Sequence, residues 1–358
     1  MNLFTLLGKR KSDGFSGTFR GSTEYKILRL LGEGGMGAVY KSKMLGVNGF
    51  EKTVAIKTLL DRYTNDPTFV NRFIEEAKLV ANLIHENIVQ IYQLDKCRAG
   101  YYFVLEFVDG VSLHELMEFH KRAKLVMPVN LAVFIAARIA RGLAYAHSRT
   151  DAEGKSLNIV HCDVCNHNIM INTEGVPKIM DFGIARAVTR EAVHGISGKL
   201  GFMAPEQAVK GAEIACTADI YSLGVVLFYL LSGGQLTRKL DGDMSNMLME
   251  IRSNYIAWEL LPPDIDDDLM AILKKMLGKN PAERYADTNQ LARDLEYYIY
   301  KDGYGPTIVT LAAYIREVMP GIFGPAITGN APGAVISDDG KTMMLDSNMP
   351  DNTTIVEK

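Results

Sequence analysis

Five short segments of the 358-residue chain hold side chains and backbone suited to phosphate chemistry. The first, LGEGGMGAVY, sets Gly32, Gly34 and Gly37 between two strand-like runs. Glycines let a backbone approach a phosphate closely and adopt dihedrals that a Cβ forbids. The motif is followed by a strand (AVYKS) and not by a helix, which argues against a dinucleotide-binding turn. No GK[ST] follows either, so it is not a Walker A loop. Twenty residues after Gly37, VAIK ends in Lys57. An ammonium inside an apolar strand is costly unless it meets an anion or lies at an edge facing water, and both readings stay open. Glu76, on the next helical stretch, is the natural partner for an anion-facing Lys57. The other segments are HCDVCNHNIMI, with Asp163 and Asn168 five residues apart, DFG at 181–183, and APE at 204–206. Each tripeptide is common by itself; their order and intervals are not.

Something must hold these segments together. Residues 25–109 are mostly strand-like, with short β-branched and aromatic runs such as TVAIKTLL and YYFVLEFV between Gly, Asn and charged turns. One helix-period stretch interrupts them, PTFVNRFIEEAKLVANLI, for which Asp66 before Pro67 supplies a start. After Gly110 the pattern is helical at 112–122, 131–149, 219–233, 244–253, 267–278 and 288–300, around a loop-rich stretch near 150–210. The plan is α+β: a small sheet-rich lobe, then a larger helical lobe, with a cleft between. Residues 1–24 read as a mobile leader, 25–109 and 110–300 as the two lobes, and 301–358 as one amphipathic helix (309–319) followed by a tail with little fixed structure.

In this order the motifs resemble those of the eukaryotic-type Ser/Thr protein kinases, particularly their bacterial members, over about residues 25–300. The resemblance implies a bilobal protein-kinase-like fold with the active site between the lobes. It implies that Gly32, Gly34 and Gly37 cover the phosphates of ATP, and that Lys57, paired to Glu76, holds the α- and β-phosphates. Asp163 would accept the proton of a substrate hydroxyl, and Asn168 and Asp181 would hold Mg²⁺. Glu106 and Val108 would meet the adenine at the hinge, with Leu105 as gatekeeper and with Val39, Ala55 and Met170 around the ring. Asp219 matches the anchor on the large buried helix, and Arg284 the partner of Glu206. Phosphoryl transfer asks for positioning and charge neutralisation more than covalent help, and this equipment is sufficient for it.

Three positions depart from the family's pattern. Cys162 stands where the family's HRD motif has its arginine, so by this resemblance the chain looks like a non-RD kinase, and the usual primary phosphosite falls on Gly195, which has no hydroxyl. Activity is therefore expected not to need phosphorylation there. Cys165 stands where a lysine usually flanks the base, and Lys199, seven residues before Glu206, where a threonine is usual. The expectation is that the Lys199 ammonium contacts Asp163 and the transferring phosphate; the alternative is a lysine facing solvent. Cys162 and Cys165 form a CxxC around Asp163, read as inert thiols or as a redox switch. His161 is expected to order the loop, and 150–158 to form a solvated hairpin.

Composition removes other classes. With 39 Lys+Arg against 42 Asp+Glu the chain carries a net charge of −3, which gives no global reason to bind nucleic acid or an anionic membrane. Four cysteines do not make a disulfide framework at this length, and the apolar run at 221–231 is too short to span a bilayer. The MNLFTLLGKRK start has its charges in the wrong order for a secretory signal, so a cytoplasmic location is expected. The functional expectation is an ATP- and Mg²⁺-dependent kinase acting on Ser/Thr hydroxyls of proteins, with tyrosine kept open. Rival readings are a pseudokinase scaffold and a small-molecule phosphotransferase of related fold. Thr342, Thr353 and Thr354 in the tail are read either as autophosphorylated docking sites for a phosphothreonine-reading partner or as inert solvated residues.

Overall fold

Strand-period residues in the first third of the chain form a six-stranded antiparallel sheet in the computed structural model, which describes residues 17–20, 23–34, 37–59, 67–97, 100–182 and 197–323. Its strands are β1 (Gly17–Arg20), β2 (Glu24–Gly34), β3 (Gly37–Leu45), β4 (Glu51–Leu59), β5 (Ile91–Cys97) and β6 (Gly100–Glu106). Their spatial order is β1-β2-β3-β4-β6-β5. Alternation sends Tyr25, Val54, Ile56, Tyr102 and Val104 to one face, where they form a buried cluster. The other face carries the row Gly32, Val39, Lys57 and Phe103, which the register aligns across four strands. Helix α1 (Pro67–Ala81) buries Val70, Ala77 and Val80 and packs against β5.

The expected leader over residues 1–24 is corrected at β1, which pairs with β2 from Gly17↔Ile27 to Arg20↔Glu24. Pairing along this otherwise open sheet edge satisfies backbone groups on both strands. Residues 1–16 lie outside the described residues.

Residues 107–109 link β6 to a second, three-stranded sheet of β7 (Gly110–Ser112), β8 (Ile169–Asn172) and β9 (Pro177–Ile179), ordered β7-β8-β9. A Cβ at Gly110 would lie 2.0 Å from the Ile171 carbonyl oxygen, so only glycine permits this approach. Among the described residues, the helices of this lobe are α2 (Leu113–Ala123), α3 (Val129–His147), the single turn α4 (Ser197–Leu200), α5 (Cys216–Leu231), α6 (Met244–Ser253), α7 (Asp267–Met276), α8 (Thr288–Tyr300) and α9 (Ile308–Val318).

Side-chain caps start many of them. Ser112 and Glu115 form a capping box on α2, and Asp243, Asp266 and Asp287 accept backbone N–H bonds at the starts of α6, α7 and α8. Helix α5 is buried on every side from Ala218 to Leu231. Helix α3 is long and apolar enough to cross a membrane by length and composition, yet most of it is buried against α8 and α5. The 150–158 insertion closes as an exposed turn, with Thr150 bridged to Ser156 and the Asp151 N–H donating to the Lys155 carbonyl.

Candidate active site

Helix α5 starts with a carboxylate that builds the loop above it. Asp219, in its first turn, is fully buried and accepts the His161 N–H (2.7 Å), the Cys162 N–H (2.8 Å) and the His147 Nε2–H (2.8 Å). The His147 Nδ1 in turn lies 2.8 Å from the Thr288 hydroxyl. Burial alone would raise the Asp219 pKa, but the hydrogen bond and charge of His147 and the backbone donors hold it below the usual carboxylate range. These bonds pin Cys162 at φ 64°, a left-handed backbone that a non-glycine residue adopts at a cost. The Gln207 amide donates to the Cys162 carbonyl (3.0 Å), tying the loop to the segment after APE.

His161 is buried and orders this loop in both directions. Its Nε2–H donates to the Met180 carbonyl (2.9 Å), its Nδ1 accepts the Asp163 N–H (3.2 Å), and its ring packs on Phe182. The Met180 N–H donates to the Asn168 carbonyl (2.9 Å), so the strand that leads to Asp181 is stitched to the loop that holds Asp163 and Asn168.

The polar side chains then converge. Asp163 Oδ2 accepts from Asn168 Nδ2 (2.8 Å) and from Lys199 Nζ (2.7 Å), and Asn168 Nδ2 also donates to the Asp163 carbonyl (2.8 Å). With its NH₂ spent in this way, Asn168 presents its amide oxygen. Lys57 Nζ, almost fully buried, lies 2.6 Å from Asp181 Oδ1. Burial would raise the Asp181 pKa, but the charge and hydrogen bond of Lys57 outweigh it and hold the carboxyl below its ordinary value. Asp181 has φ 66°, a second left-handed residue at the site.

Beside this cluster lies a surface suited to a nucleotide. Val39, Ala55 and Lys57 share one sheet face, with Leu105 opposite Ala55. Met170, on β8, alternates with the buried Ile169 and Ile171 and so turns to the opposite face. A Cβ at Gly37 would lie 1.7 Å from the Thr58 carbonyl oxygen, so the fold itself demands that glycine. Gly32 has nothing within 4 Å of its would-be Cβ, so its bare backbone leaves open space on the cleft face. Gly34 pairs with Gly37 at the strand ends. Val108 is buried in the interlobe link, and the Glu106 N–H is taken by the Gln90 carbonyl (2.8 Å).

Some expected features are not placed. Glu76 lies on α1, but its side chain is outside the described residues, as are Gly183, Thr189, Gly195, the Ser197 side chain and the tail threonines. Among the described residues the partner of Lys57 is Asp181. Cys162 and Cys165 are not joined in a disulfide, and burial pushes the Cys165 thiol up to about 12, which keeps it protonated and unreactive.

Sequence reasoning missed several residues that build the site. Lys178 Nζ sits 2.9 Å from Glu106 Oε1, joining the hinge to β9. His147 and Thr288 stand behind Asp219, and His114 stacks on His167 of the catalytic loop with ring centroids 4.1 Å apart. The one available signal was the set of histidines beside the motifs. Arg284 grips Glu206 through two bonds of 2.6 and 2.8 Å, the pairing the resemblance implied.

Comparison with known proteins gives a consistent family. The family model described as protein kinase domain matches residues 25–295. The tyrosine-protein kinase MasK of Myxococcus xanthus is 37% identical over 305 residues, covering 82% of this chain and 45% of that protein. The serine/threonine-protein kinase PrkC of Bacillus subtilis is 33% identical over 280 residues, covering 77% of this chain and 40% of that protein. The chain thus spans less than half the length of these two relatives. The crystal structure of the Mycobacterium tuberculosis PknI kinase domain superposes with a TM-score of 0.56 at 25% identity, covering 76% of this chain and 95% of that one.

Proposed function

We propose that this chain, which belongs to the protein kinase domain family, transfers the γ-phosphate of ATP to serine or threonine hydroxyls of proteins. The observation that carries this reading is the convergence of Lys57, Asp163, Asn168 and Asp181, linked by side-chain and backbone bonds of 2.6–2.9 Å.

Asp163 is the base. Its Oδ2 is held by Asn168, so Oδ1 is the oxygen offered to an acceptor hydroxyl. The hydroxyl oxygen bonds to the γ-phosphorus as its proton passes to Asp163. The bond from that phosphorus to the bridging oxygen breaks, and its electron pair leaves with ADP. Lys57 binds the α- and β-phosphates.

The Asn168 amide oxygen and the Asp181 carboxylate are hard oxygen donors and suit Mg²⁺, which keeps few protein ligands and completes its shell with phosphate oxygens and water. Bound there, Mg²⁺ would neutralise charge that builds up during transfer. Gly32, Gly34 and Gly37 cover the phosphates, and Val39, Ala55, Met170, Glu106 and Val108 surround the adenine.

Two features support a protein substrate over a small molecule: the Glu206–Arg284 anchor and the complete helical lobe around it. A pseudokinase reading is disfavoured because each side chain that transfer requires is present. Serine and threonine are preferred from relatives such as PrkC, and tyrosine is the second reading because of MasK. Phosphoamino-acid analysis after incubation with radiolabelled ATP and Mg²⁺ separates the two. Label on phosphotyrosine alone would replace the first reading with the second.

A further inference from the structure

Among the described residues, the cation that meets the base does not come from the loop that carries the base. Asp163, Cys165 and Asn168 share that loop, and Cys165 is fully buried, a neutral thiol with no charge to offer. Lys199 arrives 36 residues later, from α4, and places its Nζ 2.7 Å from Asp163 Oδ2.

This is not a lysine resting on a loose surface. The Phe202 N–H donates to the Lys199 carbonyl (3.1 Å) and the Met203 N–H to the Leu200 carbonyl (3.1 Å). Leu200 and Phe202, which follow Lys199, are buried, and a Cβ at Gly201 would lie 2.5 Å from the Leu236 side chain. The backbone that follows Lys199 is therefore packed, while the Lys199 side chain, held at Asp163, stays one-third exposed.

Resting on the kinase reading above, we propose that Lys199 is a catalytic residue whose ammonium contacts the γ-phosphoryl group as it passes to the hydroxyl held by Asp163. An acceptor oxygen bonded to Asp163 brings the phosphorus it attacks within reach of the same ammonium. Without a cation here, the Asp163 carboxylate would face the triphosphate as like charge against like. Burial disfavours the charged form of Lys199, but the Asp163 carboxylate outweighs it and keeps the amine protonated above its ordinary range. The cation is thereby delivered by the segment just before APE, so the site is complete only when that segment is packed.

Steady-state kinetics on the full chain test this, with ATP, Mg²⁺ and a protein acceptor. The variants are Lys199→Met, Lys199→Arg, Lys199→Thr and the exchange Lys199→Thr with Cys165→Lys, and Asp163→Asn sets the inactive baseline. Lys199→Met is expected to lower kcat by about 10²–10³-fold with the KM for ATP nearly unchanged. Lys199→Arg is expected to retain most of kcat, and the exchange to recover at least about tenfold over Lys199→Thr, since the cation returns from the other side. A kcat within twofold of wild type for Lys199→Met would overturn the proposal. So would a loss that neither Lys199→Arg nor the exchange repairs, since that marks a structural role. A wild type no more active than Asp163→Asn would instead remove the kinase reading, and this inference with it.

Discussion

Lys57 on β4 and Asp181 beyond β9 are 124 residues apart in sequence, and their charged atoms lie 2.6 Å apart. The pair joins the strand lobe to the helical lobe at the proposed phosphate and Mg²⁺ site. It also settles why an ammonium is tolerated in an apolar strand: its charge meets a carboxylate that is itself held ionised.

Replacing either member removes a charge that transfer requires and strands the other. Lys57→Met and Asp181→Asn are each expected to lower kcat by at least about 10²-fold, with Asp181→Asn also weakening the response to Mg²⁺. Rates measured across a Mg²⁺ titration check this.

Asp219 is expected to matter for stability as much as for rate. Asp219→Asn sets an amide NH₂ either against the Cys162 N–H or against the His161 N–H and His147, at a cost of about 3 kcal/mol. The folded pKa of Asp219 lies below its unfolded value, so its contribution is complete above about pH 4 and is lost as pH falls through the folded value. Thermal melts should show the largest gap between wild type and Asp219→Asn at neutral pH, narrowing below about pH 4.

The Lys178–Glu106 pair ties the hinge to β9 and is mostly buried, with side chains 12% and 23% exposed. Among the described residues, Lys178→Met leaves the Glu106 carboxylate with only the Gln90 N–H (3.2 Å). It should cost about 1–2 kcal/mol and raise the KM for ATP severalfold by loosening the adenine wall. Melts and ATP saturation curves report both, and Glu106→Gln should have the smaller effect on each.

Phosphate on the segment between DFG and APE is expected to be dispensable. Cys162 offers no guanidinium to receive it, and Gly195 offers no hydroxyl. Phosphatase-treated protein, checked by mass spectrometry, should retain its kcat; loss of most activity on removal of phosphate from Thr189 or Ser197 would contradict this.

Where the chain's signals are local, the fold was legible. Helices α6 and α8 span 244–253 and 288–300 as their periodicity indicated, because Asp243 and Asp287 cap them from the adjacent position. The motif residues were legible too, since their types and intervals survive without knowledge of contacts. What escaped were pairings between distant positions: His147 with Thr288, 141 residues apart, and Glu106 with Lys178, 72 apart. Nothing in a window of sequence marks a glutamate as the partner of a lysine on another strand. Strand β1 escaped because its four residues lie among Gly, Ser and Lys/Arg, and only the open edge of β2 gives them something to pair with.

The most direct measurement is transfer of label from radiolabelled ATP to a protein acceptor with Mg²⁺ present, comparing wild type with Asp181→Ala. The expected result is phosphoserine or phosphothreonine formed by wild type and reduced by at least about 10²-fold in the variant. Equal labelling by the two proteins, or none by wild type, would contradict a phosphoryl-transfer site built on Lys57, Asp163, Asn168 and Asp181.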